Sequence, residues 1–458
     1  MRDVTAPLRF PIDFPPRTMR HPRRAVQQCI LPIHQRRSDV NAPTPSRPPT
    51  RTLSGARLVA VVCAAQVLVQ LGAFFWPALL PSMMPRWGLT NSEAGWITAM
   101  FYGAYLAAVP ILVTLTDRID ARRVYLFGVG CTIFAHLLFG LVAEGFWSAL
   151  WLRGLAGIGW AGTYMTGLKL LADQVDKSLM SRATAGHAAS IGISGAASFA
   201  CADILANNFG WPITFLIAGI TAIMAWLMVA VLVPRRTTPL PRAADGQALF
   251  DFRPVFRNRS AMAYATAYCI HTLEMNALRG WGVAFLAYVA VSTGAEASFS
   301  PTWVLTALGV IGTIASVFGN EAAIRWGRVR LITLAMLASV AVSGSIGFLG
   351  TLSYTLAVTL LLVYGFVVWL DSSSLTAGAA GTAEPSRRGA TLAVHSMLGY
   401  SGGFVGPLMI GYTLDLAGGM SRTGWGVSFG LIAVLMLLAL IAFRWMRPRA
   451  LSGEHGAQ

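Results

Sequence analysis

From residue 57 onward, apolar runs alternate with short polar connectors, and each run is about 20 residues long, enough for a helix to cross about 30 Å of hydrocarbon. Twelve runs are legible, at about 57–80, 93–115, 123–143, 148–171, 183–206, 211–233, 260–290, 301–320, 329–350, 353–376, 389–414 and 424–445, numbered here as spans 1 to 12. Inside a bilayer each spanning segment must satisfy its own backbone hydrogen bonds, so these are helices and not open strands. The run at 260–290 is long and carries charges, which predicts a helix that is tilted, broken or partly outside the membrane. Only 12% of residues are charged, half the roughly 25% of a soluble domain. The fold class that follows is an all-α integral membrane protein.

Basic residues set the orientation. The tail through Arg57, the connectors after spans 2, 4, 6, 8 and 10, and the stretch from Arg444 hold 30 of the 35 Lys and Arg residues. The opposite connectors hold only Arg86 and Arg422, while Arg153, Lys169 and Arg279 fall within spans. Loops rich in Lys and Arg stay on the cytoplasmic side. Both termini are therefore expected in the cytoplasm, and the chain as a multi-pass protein of the cell inner membrane. The same asymmetry accounts for the net charge of +16 without any nucleic-acid partner.

Residues 1–56 are rich in Arg and Pro and lack hydrophobic periodicity, which predicts a disordered basic tail. They also lack the apolar core and small-residue cleavage site of a signal peptide. The alternative for this tail is an arm for anionic lipid or nucleic acid. Cys29, Cys63, Cys131, Cys201 and Cys269 are widely spaced, which argues against a disulfide framework or a zinc site. The seven His residues are dispersed, with no metal-ligand spacing. Neither a metal nor a cofactor is expected.

The chain repeats itself. Segment 234–259 is the only long internal polar stretch and divides the spans into a bundle at 57–233 and another at 260–447, with a short tail at 448–458. "DRIDARR" after span 2 answers to "RWGRVR" after span 8, and "SRATAG" before span 5 to "SRRGAT" before span 11. Two related six-helix halves are a recurring transporter plan, with a substrate site near the midplane between them. Two enzyme signatures are false. "GIGWAG" at 157–162 and "GYSGG" at 399–403 both lie inside apolar helices, whereas dinucleotide binding and a nucleophile elbow each need a strand followed by an exposed helix start.

Five charges crowd into residues 117–123: Asp117, Arg118, Asp120, Arg122 and Arg123. Such a loop after span 2, in a chain of twelve helices in two halves, resembles the major facilitator superfamily of secondary transporters. The family's loop reads roughly Gly-x-Leu-Ala-Asp-Arg-x-Gly-Arg-Lys/Arg. Here its Asp-Arg core is Asp117-Arg118 after Leu115, and Arg122 and Arg123 form the trailing basic pair. Val113 and Asp120 stand at the two glycine positions and Ala121 at the arginine after the second. The second-half copy keeps Arg325, Gly327, Arg328 and Arg330, with Ile324 in place of an acid. Arg153, Gly157 and Gly159 match a further family pattern in span 4. The resemblance covers roughly 57–447.

That resemblance implies two pseudo-symmetric six-helix bundles, transport by alternating access, and a cytoplasmic gate at Asp117, Arg118, Arg122 and Arg123. Asp117 would face the positive N-terminus of span 11 near Gly389 in the outward-open state. A plain basic loop, the alternative, accounts for the Arg residues but not for Asp117. The resemblance also implies that spans 1, 4, 7 and 10 line the cavity. The substrate-binding candidates there are Gln66 and Gln70 on span 1, Arg153 and Tyr164 on span 4, and Arg279 on span 7.

Ionisable groups within a membrane are costly and therefore functional candidates by default. Glu274, with His271 one turn before it, is the candidate for proton coupling. A static Glu274–His271 or Glu274–Arg279 pair is its alternative, as helix-to-helix hydrogen bonding is for Arg153. Lys169 and Asp371 are expected to snorkel or to pair at helix ends. The chain is expected to move a small solute, an organic anion ahead of others because of its two intramembrane Arg residues, as a proton-coupled monomer. Multidrug or metabolite efflux is the second reading; span 5 carries Gly192 and Gly195 without the proline usual in exporters of the family. A non-transporting sensor is the third, against which the 26-residue connector is too short to fold as a signalling domain. Without a catalytic constellation, no enzyme is expected.

Overall fold

The computed structural model describes residues 55–235, 252–295 and 299–451. The basic tail, most of the central connector and the end of the chain lie outside the described residues, and the expectations made for them lie there too. Among the described residues every regular element is a helix. Eight helical stretches are long and apolar enough to cross a membrane on that ground alone. One of these, Ser178–Leu232, is 55 residues long, and it is turned between spans 5 and 6 at Gly210 (φ 79, ψ 163). Span 4 (Phe146–Gln174), span 7 (Arg259–Thr293) and span 11 (Arg388–Leu416) complete the twelve.

Two spans are interrupted. Span 1 consists of Gly55–Gln70 and Phe75–Trp87, and span 10 of Tyr354–Leu370 followed by Ser372–Gly381. The remaining spans are Asn91–Leu115 (2), Ala121–Val142 (3), Pro301–Trp326 (8), Arg328–Leu349 (9) and Arg422–Met446 (12). Span 7 is one unbroken helix of 35 residues. At about 1.5 Å per residue it is about 52 Å long, so it tilts or projects beyond the hydrocarbon.

Local chemistry fixes the helix starts. At span 2, Thr90 accepts from the Glu93 N–H while the Glu93 carboxylate accepts from the Thr90 N–H, a reciprocal capping box. Asp120 caps span 3, its Oδ1 accepting from the Arg122 N–H at 3.0 Å. Its backbone (φ −56, ψ 123) has no need of glycine, so the acid found where the family loop has Gly is a helix cap.

Within the first half, span 3 packs on span 4, span 4 on span 2, and span 1 on the 5–6 stretch. In the second half, span 7 packs on span 11 and span 9 on span 12. A Cβ on Gly128 would lie 2.6 Å from Gly162, so the "GIGWAG" stripe is a helix crossing. Ser401 of "GYSGG" donates its hydroxyl to the carbonyls of Met397 and Leu398 within its own helix.

The halves meet through span 2 on span 11, span 5 on span 8, and the second piece of span 1 on span 7. The first two contacts are one contact made twice, since spans 8 and 11 hold the places of spans 2 and 5 in the second half. With twelve crossings between them, Gly55 at the start of span 1 and Arg449 just past the end of span 12 fall on one side, the side of the Arg-rich connectors, called here the basic face. The contacts between halves run from the far face to the middle, where Tyr105 and Tyr400 stack at 3.6 Å.

Candidate functional site

Where the halves meet at mid-depth, a cavity is lined by Phe74 of span 1, Tyr102 of span 2, Trp160 of span 4, Tyr268, Asn276 and Arg279 of span 7, and Tyr400 of span 11. With Thr272, Met275 and Gly399 completing it, half of this lining is aromatic, and Arg279 supplies its charge. The Arg279 guanidinium lies 5.2 Å from the Phe74 ring centroid and 4.8 Å from that of Trp369, held between one ring from each half. Among the described residues it has neither an ion-pair partner nor a hydrogen-bond acceptor. One turn earlier, Asn276 donates its amide to the Thr272 carbonyl at 2.9 Å, leaving its own Oδ1 buried without a partner. The cavity thus holds one cation, with a buried unpaired acceptor one turn away, beside five aromatic rings.

The other substrate candidates sit elsewhere. Arg153 is 2% exposed. Its guanidinium donates to the Ala73 carbonyl at 3.1 Å and lies 4.5 Å above the Phe101 ring. Ala73 falls in the interruption of span 1, where carbonyls lose their helical partners. Arg153 therefore supports that break, as the helix-to-helix alternative anticipates. Gln66 is buried and accepts from the Tyr125 hydroxyl at 3.1 Å, within the first half. Gln70 lines a small internal void beside His136 and Thr163, and its amide nitrogen has no protein partner. Tyr164 packs with Tyr105 and Tyr400 on the basic side of the cavity, and its carbonyl lies 2.8 Å from His187 Nε2.

Neither static pair anticipated for Glu274 forms. Glu274 is 1% exposed and accepts from the Tyr364 hydroxyl of span 10 at 2.5 Å and from the Ser339 hydroxyl of span 9. His271 turns instead to Asp371, with Nδ1 2.9 Å from Oδ1, a close approach without the alignment of a good hydrogen bond. Asp371 is not a snorkelling end residue but a buried acid at the interruption of span 10. The sequence signal for it was "LDSSS", an acid and three serines breaking an apolar run. Lys169 does pair at its helix end, 2.7 Å from Asp173. A column of rings joins the buried acids to the cavity: His271 lies 5.5 Å from Tyr268, and Tyr268 4.0 Å from His395, all nearly parallel.

At the basic face, Asp117, Arg118 and Arg123 are exposed, and Asp117 makes no ion pair with the second half among the described residues. Gly389, at the start of span 11, has open space beside it. Arg122 is buried and donates to the Ala230 carbonyl of span 6 at 2.5 Å, so it ties the first half to itself and does not bridge the two.

The sequence model of the Major Facilitator Superfamily matches residues 62–407. Protein spinster homolog 1 of Homo sapiens is 26% identical over 242 residues, which cover 50% of this chain and 46% of that protein. The match to the first curated relatives thus spans about half their length. An uncharacterized MFS-type transporter of Bacillus subtilis, YbcL, is 21% identical over 363 residues, covering 76% of this chain and 86% of its own. A bacterial homolog of the human lysosomal transporter Spinster, solved in an inward-facing and occupied conformation, superposes with a TM-score of 0.71 at 14% identity, over 85% of this chain and 96% of that one. A mutant of the nucleoside transporter NupG gives 0.72 at 14% identity, over 85% of this chain and all (100%) of the other. At that identity both show the fold alone.

Proposed function

The chain belongs to the Major Facilitator Superfamily, and on that footing we propose that it carries a small organic anion across the inner membrane by alternating access, coupled to protons. The observation that carries the anion reading is Arg279. A cation at the meeting of the two halves, flanked by Phe74 and Trp369 and lacking a counter-ion among the described residues, favours a ligand that brings the negative charge. The aromatic lining favours a planar or apolar body behind that charge. Arg153, committed to the Ala73 carbonyl, drops out of the substrate set.

Proton coupling is assigned to Glu274 as the group that carries the transported proton, and the His271–Asp371 pair is assigned to linking it to the cavity wall. Tyr268 serves both the cavity wall and the ring column that reaches His271, so a ligand against Tyr268 bears on the pair behind it. With the basic face as the cytoplasmic side, the contacts between halves close the outer side and Asp117 is released, as the latch requires when the inside is open. The two bundles, 57–233 and 260–447, are the moving bodies, and the monomer is the working unit.

The test is thermal stabilisation of the purified protein by a panel of aromatic and aliphatic carboxylates, since a ligand bound to the native state raises the apparent melting temperature by mass action. Arg279→Gln is expected to weaken binding of a hit by about tenfold or more, the worth of a hydrogen bond to a charged group. Equal stabilisation of Arg279→Gln and the parent protein would remove the anion site. Binding without flux in proteoliposomes would favour the sensor reading, and preference for cationic or neutral drugs the efflux reading.

A further inference from the structure

The family loop pattern places Gly four residues before its Asp and Gly three residues after, and the loop after span 2 lacks both glycines. The same spacing stands complete at the opposite end of the molecule: Gly411, Asp415 and Gly418, at the end of span 11. Each member has a physical task. A Cβ on Gly411 would come within 2.4 Å of the Asn91 carbonyl oxygen, so glycine lets span 11 close onto the start of span 2. Gly418 adopts φ +89, which turns the chain away after Asp415. Between them the Asp415 carboxylate reaches across the halves. It accepts from the N–H groups of Asn91 (3.2 Å) and Ser92 (2.7 Å), and from the Asn91 amide (2.7 Å) and the Ser92 hydroxyl (2.5 Å).

Those two N–H groups open span 2 and have no partner within their own helix. A carboxylate there also meets the positive end of the helix dipole. The Trp96 indole adds a bond to the Tyr412 hydroxyl at 2.9 Å across the same contact. The pseudo-symmetric contact repeats the device in weaker form: Asp203, near the outer end of span 5, accepts from Ser300 at the start of span 8 at 3.3 Å.

We propose that Asp415 is the outer gating residue of this transporter, clamping the start of span 2 while the inside is open, and that the cycle must break its four hydrogen bonds to open outward. Asp203 is its two-fold partner. The two ends of the molecule then use one chemistry with exchanged roles: the end of span 2 on the start of span 11 inside, the end of span 11 on the start of span 2 outside. This role rests on the alternating-access reading above.

The test uses the full chain, free of native cysteines, in lipid nanodiscs, with spin labels at Glu144→Cys and Arg422→Cys, exposed outer positions of the two halves. Electron–electron distance measurements should show the longer, outward-open population gaining over the shorter one by about three- to tenfold in Asp415→Asn, the worth of charge-assisted bonds in partial contact with water. Ser92→Ala, which removes one donor and leaves both backbone groups, should move the balance the same way by less and serves if Asp415→Asn folds poorly. Gly411→Leu wedges the contact apart and is the control. If the wedge lengthens the distance while Asp415→Asn and Ser92→Ala leave it unchanged, Asp415 is not a gate. If the wedge also changes nothing, the alternating-access reading fails and this role with it.

Discussion

Glu274→Gln separates coupling from folding. The substitution keeps the length, the volume and the oxygen that accepts from Tyr364 and Ser339, because both hydroxyls donate to the same Oε1. What it removes is the site for a proton. The cost to folding is limited to turning two charge-assisted hydrogen bonds into neutral ones, about 1 kcal/mol each and so about 2 kcal/mol at most. On the proposed assignment the cost to coupling is total. An electroneutral cycle with one proton per solute supports about tenfold accumulation for each pH unit across the membrane, since one unit is worth about 1.4 kcal/mol. Proteoliposomes with a one-unit gradient should therefore accumulate the solute in the parent protein and only equilibrate it in Glu274→Gln. Exchange of labelled for unlabelled solute, which needs no net proton movement, should persist. Tenfold accumulation by Glu274→Gln would refute the assignment and leave Glu274 as a strut between spans 7, 9 and 10.

The depth of the bilayer is why so much of the fold was legible. A length requirement acts on every span alike, and it brought out spans 4, 7 and 11 even though their polar and glycine residues dilute their apolarity. Side-chain partners obey no such rule. Helical spacing put Glu274 near His271 and Arg279, yet the side chains diverge: Glu274 to spans 9 and 10, His271 to Asp371, Arg279 to two rings. Spacing on one helix says which groups share a face, not what the neighbouring helices offer. Asp371 lies beside His271 at a helix end rather than snorkelling, and that end is internal because the apolar run of span 10 breaks at the serines that follow it. Asp415 was passed over because it ends a span among exposed residues, where an acid looks like ordinary solvated polarity. Its meaning lies in Asn91 and Ser92, more than three hundred residues earlier in the chain.

The charged loop after span 2 yields the remaining predictions, and they divide it into gate and scaffold. Asp117→Asn removes an exposed charge that has no ion-pair partner among the described residues, so it should leave thermal stability unchanged. It should slow initial transport in reconstituted vesicles by about two- to fivefold, the worth of a carboxylate at a helix start; unchanged initial rates would sink the latch. Asp120 belongs to the scaffold, because its carboxylate caps span 3 through the Arg122 N–H. Asp120→Ala should cost about 1 kcal/mol and Asp120→Gly only a few tenths, read as the drop in melting temperature of the purified protein. The order of these two variants is the decisive point. Asp120 stands where the family loop has glycine, but at φ −56 the backbone gains nothing from glycine's freedom, so restoring the family residue can at best approach the parent. An Asp120→Gly variant more stable than the parent would mean that the loop is strained at this position and that the cap is incidental.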